Sequence, residues 1–209
     1  MLQFSKVGPK TYAGDLLVYL TRQPGKGSPR CAAGAVDEFI RRVHALGDFS
    51  GKEGEHLFFY PEKGQPGLPA AKRILVVGLG KEELSRESFR KAGGSIASLT
   101  MKCKARELLL VLPDLVGDMA EMVEGLSEGL VLGTYRFGKY KTKKDPDALG
   151  QMLQQAALYV SDHKGLSKAL KLGEIAAQAA CKARDMANEP ASHWTPAHVS
   201  DYGRQLAAA

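Results

Sequence analysis

The chain has 209 residues, of which 44% are apolar and 25% charged, a balance that excludes a disordered or collagen-like polymer and suits one folded domain plus a smaller piece. Its formal net charge of +6 leaves a polyanionic partner open without requiring one. Three widely spaced cysteines, Cys31, Cys103 and Cys181, with no CxxC or CxxH pair, exclude a disulfide framework and a zinc site built on thiolates.

The first ten residues lack the long apolar stretch of a secretory signal, and no run approaches the length that crosses a bilayer. A cytoplasmic protein without a membrane partner is therefore expected. The first predicted element is a strand over Asp15 to Thr21, followed by a loop rich in Pro and Gly from Gln23 to Pro29. Val36, Phe39, Ile40, Val43 and Leu46 recur at helical spacing, and Gly47 is a plausible stop for that helix. His56 to Pro61 reads as a strand. Arg73 to Gly80 is a continuous apolar run of the kind buried on both faces of a sheet.

Phe89 to Lys104 predicts a helix with Phe89, Ala92, Ile96, Leu99 and Cys103 on one side. Glu107 to Leu112 is a second fully apolar strand, and Met119 to Tyr135 again shows helical periodicity. Gly138 to Pro146 is a charged loop. Gln151 to Ser161 is compatible with a last strand, although its first half also tolerates helix. Leu166 to Asn188 predicts a long alanine-rich helix, ended by Pro190 because proline cannot continue the hydrogen-bond ladder. Thr195-Pro196 predicts the start of another helix, a capping residue followed by proline at the first helical position. That helix runs to Ala209 without a stop signal, which suggests a truncated chain.

Apolar strands alternating with amphipathic helices predict a three-layer α/β/α fold on a mostly parallel sheet. The expected organisation is an α/β domain over residues 1–162, a connecting helix over 163–190, and the start of a further domain over 191–209.

Few motifs carry chemistry. Gly78-Leu-Gly80-Lys81 leaves an apolar strand, as phosphate-binding loops do. A P-loop would need glycine where Leu75 stands and Ser or Thr where Glu82 stands. A dinucleotide fingerprint would need glycine at Glu83. The plain reading is a glycine turn. The five histidines form no HExxH, His193 and His198 straddle a proline, and no carboxylate cluster resembles a two-metal site. There is no GxSxG elbow, so no nucleophile is assigned. Basic residues cluster at Lys102, Lys104 and Arg106, and at Lys139, Lys141, Lys143 and Lys144, the second group interleaved with Tyr135, Phe137 and Tyr140. Such a pattern can bind nucleic acid through phosphates and stacking, and it is also what a solvated loop looks like.

Three segments together resemble the M17 leucyl aminopeptidases: Arg73 to Lys81, Glu128 to Lys141, and Ala183-Arg-Asp-Met-Ala-Asn-Glu-Pro190 with Trp194-Thr-Pro196. The third is the most specific, and Ser192 departs from it where many members have asparagine. The resemblance covers essentially the whole chain. It implies a macro-domain-like N-terminal fold joined by the long helix to a catalytic domain. It also implies a parent that is a homohexamer releasing N-terminal residues, leucine preferentially, from peptides. The parent would use two divalent ions, zinc with manganese or magnesium at one exchangeable site. The Asn-Thr-Asp-Ala-Glu-Gly-Arg string that carries metal ligands in the family does not occur here. No catalytic or metal residue is therefore carried over, no cofactor is expected in this chain, and the expected partners are its own catalytic domain and sibling subunits. DNA binding through the basic clusters is the alternative.

Overall fold

The computed structural model describes residues 2–62, 64, 66–81, 83–113, 118–140 and 153–208. Six strands form one sheet: β1 (Leu2–Phe4), β2 (Leu16–Thr21), β3 (His56–Phe59), β4 (Ile74–Gly78), β5 (Glu107–Val111) and β6 (Gln155–Tyr159). Their spatial order is β1-β6-β5-β2-β4-β3, and every pairing is parallel except that of β3 with β4 at one edge. The helices of the described residues are α1 (Ala35–Ala45), α2 (Arg86–Lys102), α3 (Met119–Thr134), α4 (Ser167–Asn188) and α5 (Pro196–Ala208).

The period-two alternation of each central strand feeds two cores. Leu16, Val18, Leu20, Leu75, Val77, Leu108 and Leu110 point to one face, where α2, α3 and the first half of α4 cover them. Leu17, Tyr19, Ile74, Val76 and Leu109 point to the other, where Val36 and Ile40 of α1 cover them. Both faces of β2 and β4 are buried, so these strands read as unbroken apolar runs rather than alternating ones. The three-layer α/β arrangement expected from the sequence is present.

Helices α2 and α3 approach at van der Waals distance through glycines. A Cβ built on Gly129 would lie 2.0 Å from the Arg90 carbonyl oxygen, and one on Gly93 would lie 2.6 Å from that of Leu126. Helix α2 begins three residues earlier than the apolar periodicity indicates. Ser85 caps it by accepting from the Ser88 amide, and the Ser88 hydroxyl accepts from the Ser85 amide. Serine in place of Glu or Gln at the third position hides this capping box from a pattern search.

The Gly78-Leu-Gly80 turn is consumed by packing. A Cβ on Gly78 would lie 2.2 Å from the Lys52 carbonyl oxygen. The Gly80 amide donates to the Gly51 carbonyl, and the Gly80 carbonyl accepts from Gln23. Gly80 has φ +81°, a conformation glycine adopts without steric cost.

Two elements were hard to read from sequence. Strand β1 had no signal, because three residues are too few for a period, and its pairing is supplied by β6. The ambiguous 151–161 segment contains strand β6 over Gln155–Tyr159, where the neighbouring β5 ladder decides between strand and helix.

Candidate functional site: the junction at the end of the long helix

Helix α4 has two unlike halves. Ala169, Leu170, Gly173 and Ala177 are buried against the core, with Gly173 seated on Ser127 and Glu124 of α3. Beyond Ala177 no residue of α4 is fully buried. Its far end is held instead by the segment that leaves α3, residues 135–140.

The contacts there are polar and aromatic. The Tyr135 hydroxyl donates to Asp185 Oδ1 at 2.9 Å and accepts from Asn188 Nδ2 at 3.4 Å. Arg184 lies over the Tyr135 ring, 5.6 Å from its centroid. Asn188 also donates to the Arg184 carbonyl at 2.8 Å, satisfying one of the acceptors a helix leaves open at its C-terminus. Glu189, extended before Pro190, pairs with Lys139 at 2.6 Å and accepts from the Tyr140 hydroxyl. Tyr140 meets the His193 ring at 5.8 Å. The Pro190 carbonyl then accepts from the amides of His193 and Trp194, turning the chain toward α5. His198 Nδ1 lies 3.3 Å from the Thr195 amide and 2.9 Å from the Thr195 hydroxyl, securing the start of α5. Trp194 packs on His198 and Tyr202, and Lys182 reaches over the Tyr202 ring. Helix α5 has no buried residue, and Val199 and Leu206 on it are more than half exposed.

The electrostatics are those of a clasp. Lys139 first, then Tyr140, hold the Glu189 carboxyl below its ordinary range, while Glu189 in turn raises Lys139 and Tyr140. Burial raises the Tyr135 phenol, Asp185 adds to that, and Asn188 opposes it. At neutral pH both phenols are neutral donors, and Lys139 and Glu189 pair with each other. Among the described residues no group of three or more His, Cys, Asp or Glu is placed to hold a metal ion. These residues do not fit a pair of divalent ions. Burial first, then the Asp37 carboxylate, raises the Cys31 thiol far above its usual range, which keeps it protonated.

The basic residues singled out in the sequence lie in two segments, the turn from α2 to β5 and the stretch that follows α3. Lys102, Lys104 and Arg106 are exposed in the turn from α2 to β5, where the Arg106 amide donates to Asp15. Lys139 is committed to Glu189. Lys141, Lys143 and Lys144 lie outside the described residues.

Two of the three segments that carry the family resemblance thus touch each other. Tyr135, Lys139 and Tyr140 of the second contact Asp185, Asn188 and Glu189 of the third, about fifty residues away in sequence. No sequence pattern pairs Tyr135 with Asp185 and Asn188, or Lys139 with Glu189; only the tertiary fold brings them together.

An α/β sheet domain with a long helix clasped at its exit defines the class. The family model described as "Cytosol aminopeptidase family, N-terminal domain" matches residues 20–144, more than half of the chain. The chain belongs to the cytosol aminopeptidase family through that domain. It is 38% identical over 205 residues to a probable cytosol aminopeptidase of Desulfotalea psychrophila, covering 95% of this chain and 40% of the relative. It is 39% identical over 207 residues to one of Desulforapulum autotrophicum, covering 94% and 40%. The chain therefore spans about two fifths of the length of these relatives. A tomato leucine aminopeptidase mutant superposes with a TM-score of 0.74 at 19% identity, over 99% of this chain and 42% of that one. The bottromycin maturation enzyme BotP superposes with a TM-score of 0.69 at 24% identity, over 94% and 37%. At those identities the two structures speak for the fold alone. No helix of the described residues is long and apolar enough to cross a membrane.

Proposed function

We propose that this chain is the non-catalytic, assembly and regulatory N-terminal part of a cytoplasmic leucyl aminopeptidase, with residues 1–162 as the domain, 163–190 as the connecting helix and 191–209 as the beginning of the catalytic domain. The single observation that carries the reading is the clasp at Tyr135 to Tyr140. It fixes the exit of α4 with paired charges and then hands the chain to α5, a helix with no buried residue of its own. A helix anchored at its root and bare along its length is suited to carry a second body at a set angle. The curated relatives, called probable cytosol aminopeptidases and more than twice as long, support the same reading.

In the intact protein the partner would be a metallopeptidase domain that releases N-terminal residues from peptides in a hexamer. The two divalent ions belong to that domain. The domain described here contributes contacts between subunits and control of access, and no reacting group.

The test is hydrolysis of leucine p-nitroanilide with added manganese or zinc, comparing the 209-residue chain with one extended to the length of the relatives. Turnover by the extended chain alone is the expected result. Turnover by the 209 residues alone sinks the proposal.

A further inference from the structure

Strands β1 and β2 lie on opposite sides of the pair β6 and β5, so the chain between them must cross both. Crossovers between parallel strands are usually helices. Residues 5–14 cross without one, as a strap on the sheet face that carries Leu109 and Ala157. Tyr12 packs into the core of that face, and a Cβ on Gly8 would lie 3.5 Å from the Tyr159 hydroxyl oxygen. A strap is thinner than a helix, which with its side chains is about 10–12 Å across. The layer is left partly unfilled. A cavity of about 340 Å³ remains between the strap and strands β1, β6 and β5, within the range of small-molecule sites. Val7, Leu109 and Ala157 are among its apolar lining residues. Every lining residue is joined on both sides to described residues.

Three polar side chains of this cavity are uncommitted. Glu107 and Lys6 are exposed and take part in no ion pair among the described residues. One unpaired surface charge is ordinary. Here two of opposite sign line a single cavity from either side of β6, on strands roughly 10 Å apart.

The third is the Tyr12 hydroxyl, the one buried side-chain oxygen or nitrogen among the described residues with no hydrogen-bond partner. A Cβ on Gly14 would lie 2.2 Å from that hydroxyl and 2.8 Å from Glu107 Oε1, so phenol and carboxylate flank one hollow that glycine leaves open. Burial first, then the Glu107 and Asp15 carboxylates, raise the Tyr12 phenol, while the Leu16 amide, near it without hydrogen-bond geometry, opposes them. The phenol keeps its proton, and that proton has no acceptor. A buried donor left unused is costly, and the nearest remedy is the Glu107 carboxylate.

We propose that the cavity under the strap binds a small aliphatic zwitterion, a free amino acid or a dipeptide. Its ammonium pairs with Glu107, its carboxylate pairs with Lys6, and its side chain lies against Val7, Leu109 and Ala157. The ammonium draws Glu107 inward, where the carboxylate also accepts from Tyr12; Tyr12 is thus a positioning residue. The site sits on the sheet face toward the amino ends of β5 and β6, apart from the clasp. Amino acids are also products of the peptidase proposed above, but the inference rests on this cavity alone.

Calorimetric titration of the 209-residue chain with leucine and with leucylleucine tests it. Saturable binding of at least one, with a Kd below about 1 mM, is expected, and which binds tighter separates amino acid from dipeptide. N-acetylleucine, which lacks the ammonium, and leucinamide, which lacks the carboxylate, are each expected to bind about tenfold more weakly than leucine. Glu107→Gln should erase the preference over N-acetylleucine, and Lys6→Gln the preference over leucinamide. Tyr12→Phe should weaken binding severalfold without lowering the Tm of the unliganded chain, since its hydroxyl bonds to nothing there. Should a variant fail to fold, amide shifts at Lys6, Val7, Gln155 and Ala157 in the unsubstituted chain on adding leucine decide the matter, and shifts confined elsewhere overturn the proposal. No saturable binding of leucine or leucylleucine overturns it. So do N-acetylleucine and leucinamide binding as tightly as leucine, or preferences unchanged in both charge variants. None of these failures touches the peptidase reading, because no turnover is measured.

Discussion

The sheet and the junction are held by different forces. In the sheet, Leu16, Leu17, Ile74, Leu75, Leu109 and Leu110 are almost fully removed from water, each contributing roughly 1.5–3 kcal/mol of apolar burial. At the junction the contacts are single hydrogen bonds, an ion pair and ring contacts among residues open to solvent, where competition from water and screening keep each one weak. The difference separates two tasks. Apolar burial is non-directional and makes a body, whereas the directional bonds at Tyr135, Lys139 and Tyr140 set where α4 points without adding much to the stability of that body.

The sharpest way to break the comparison is in the core. Leu110→Ala removes a fully buried side chain from the face covered by α2 and α3, and it is expected to cost about 2–5 kcal/mol in urea unfolding. A cost as small as that of a junction variant would mean the two regions are not energetically distinct. Next comes Gly129→Ala. Alanine favours helix by about 1 kcal/mol over glycine, yet the new methyl would sit 2.0 Å from the Arg90 carbonyl oxygen. The two helices must separate, and a net loss of about 1–3 kcal/mol is expected, read as a lowered Tm. A raised Tm would show that α2 and α3 pack less closely than described.

The junction variants are smaller and local. Tyr135→Phe deletes the hydroxyl shared by Asp185 and Asn188, and its expected lowering of Tm is smaller than that of Gly129→Ala. Its signature is faster amide exchange over residues 184–189 with core exchange unchanged; uniform acceleration would place Tyr135 in the core's cooperative unit. Acid should act in the same place. Glu189 is depressed by Lys139 and Tyr140, so its contribution is present above the ordinary glutamate pKa of about 4.3 and is lost as pH falls through the lower folded value. The expected observation is loosening of residues 184–194 in acid, abolished in Glu189→Gln. Loosening that persists in Glu189→Gln would assign it to another carboxylate.

Much of the sheet was legible because burial on two faces leaves a local record. The runs at Leu16 to Leu20, Ile74 to Val77 and Leu108 to Leu110 could be little else once flanked by glycine, proline and charge. The helix ending at Asn188 was equally legible, since Pro190 stops it on steric grounds. The junction was visible only as two family-like strings. Its chemistry lies in pairs about fifty residues apart, and no period or propensity reports such pairs.

The amino-acid sequence alone therefore determined most of the elements, the layered α/β class and the family resemblance, because apolar periodicity and proline or glycine stops act within one or two turns of chain. Tertiary structure decided the rest. It placed β1 beside β6, turned the Gly78-Leu-Gly80 loop into packing, and paired Lys139 with Glu189. It also carried residues 5–14 across β6 and β5. Each of these outcomes depends on which segments become neighbours, and that is settled by how the faces of the sheet are covered.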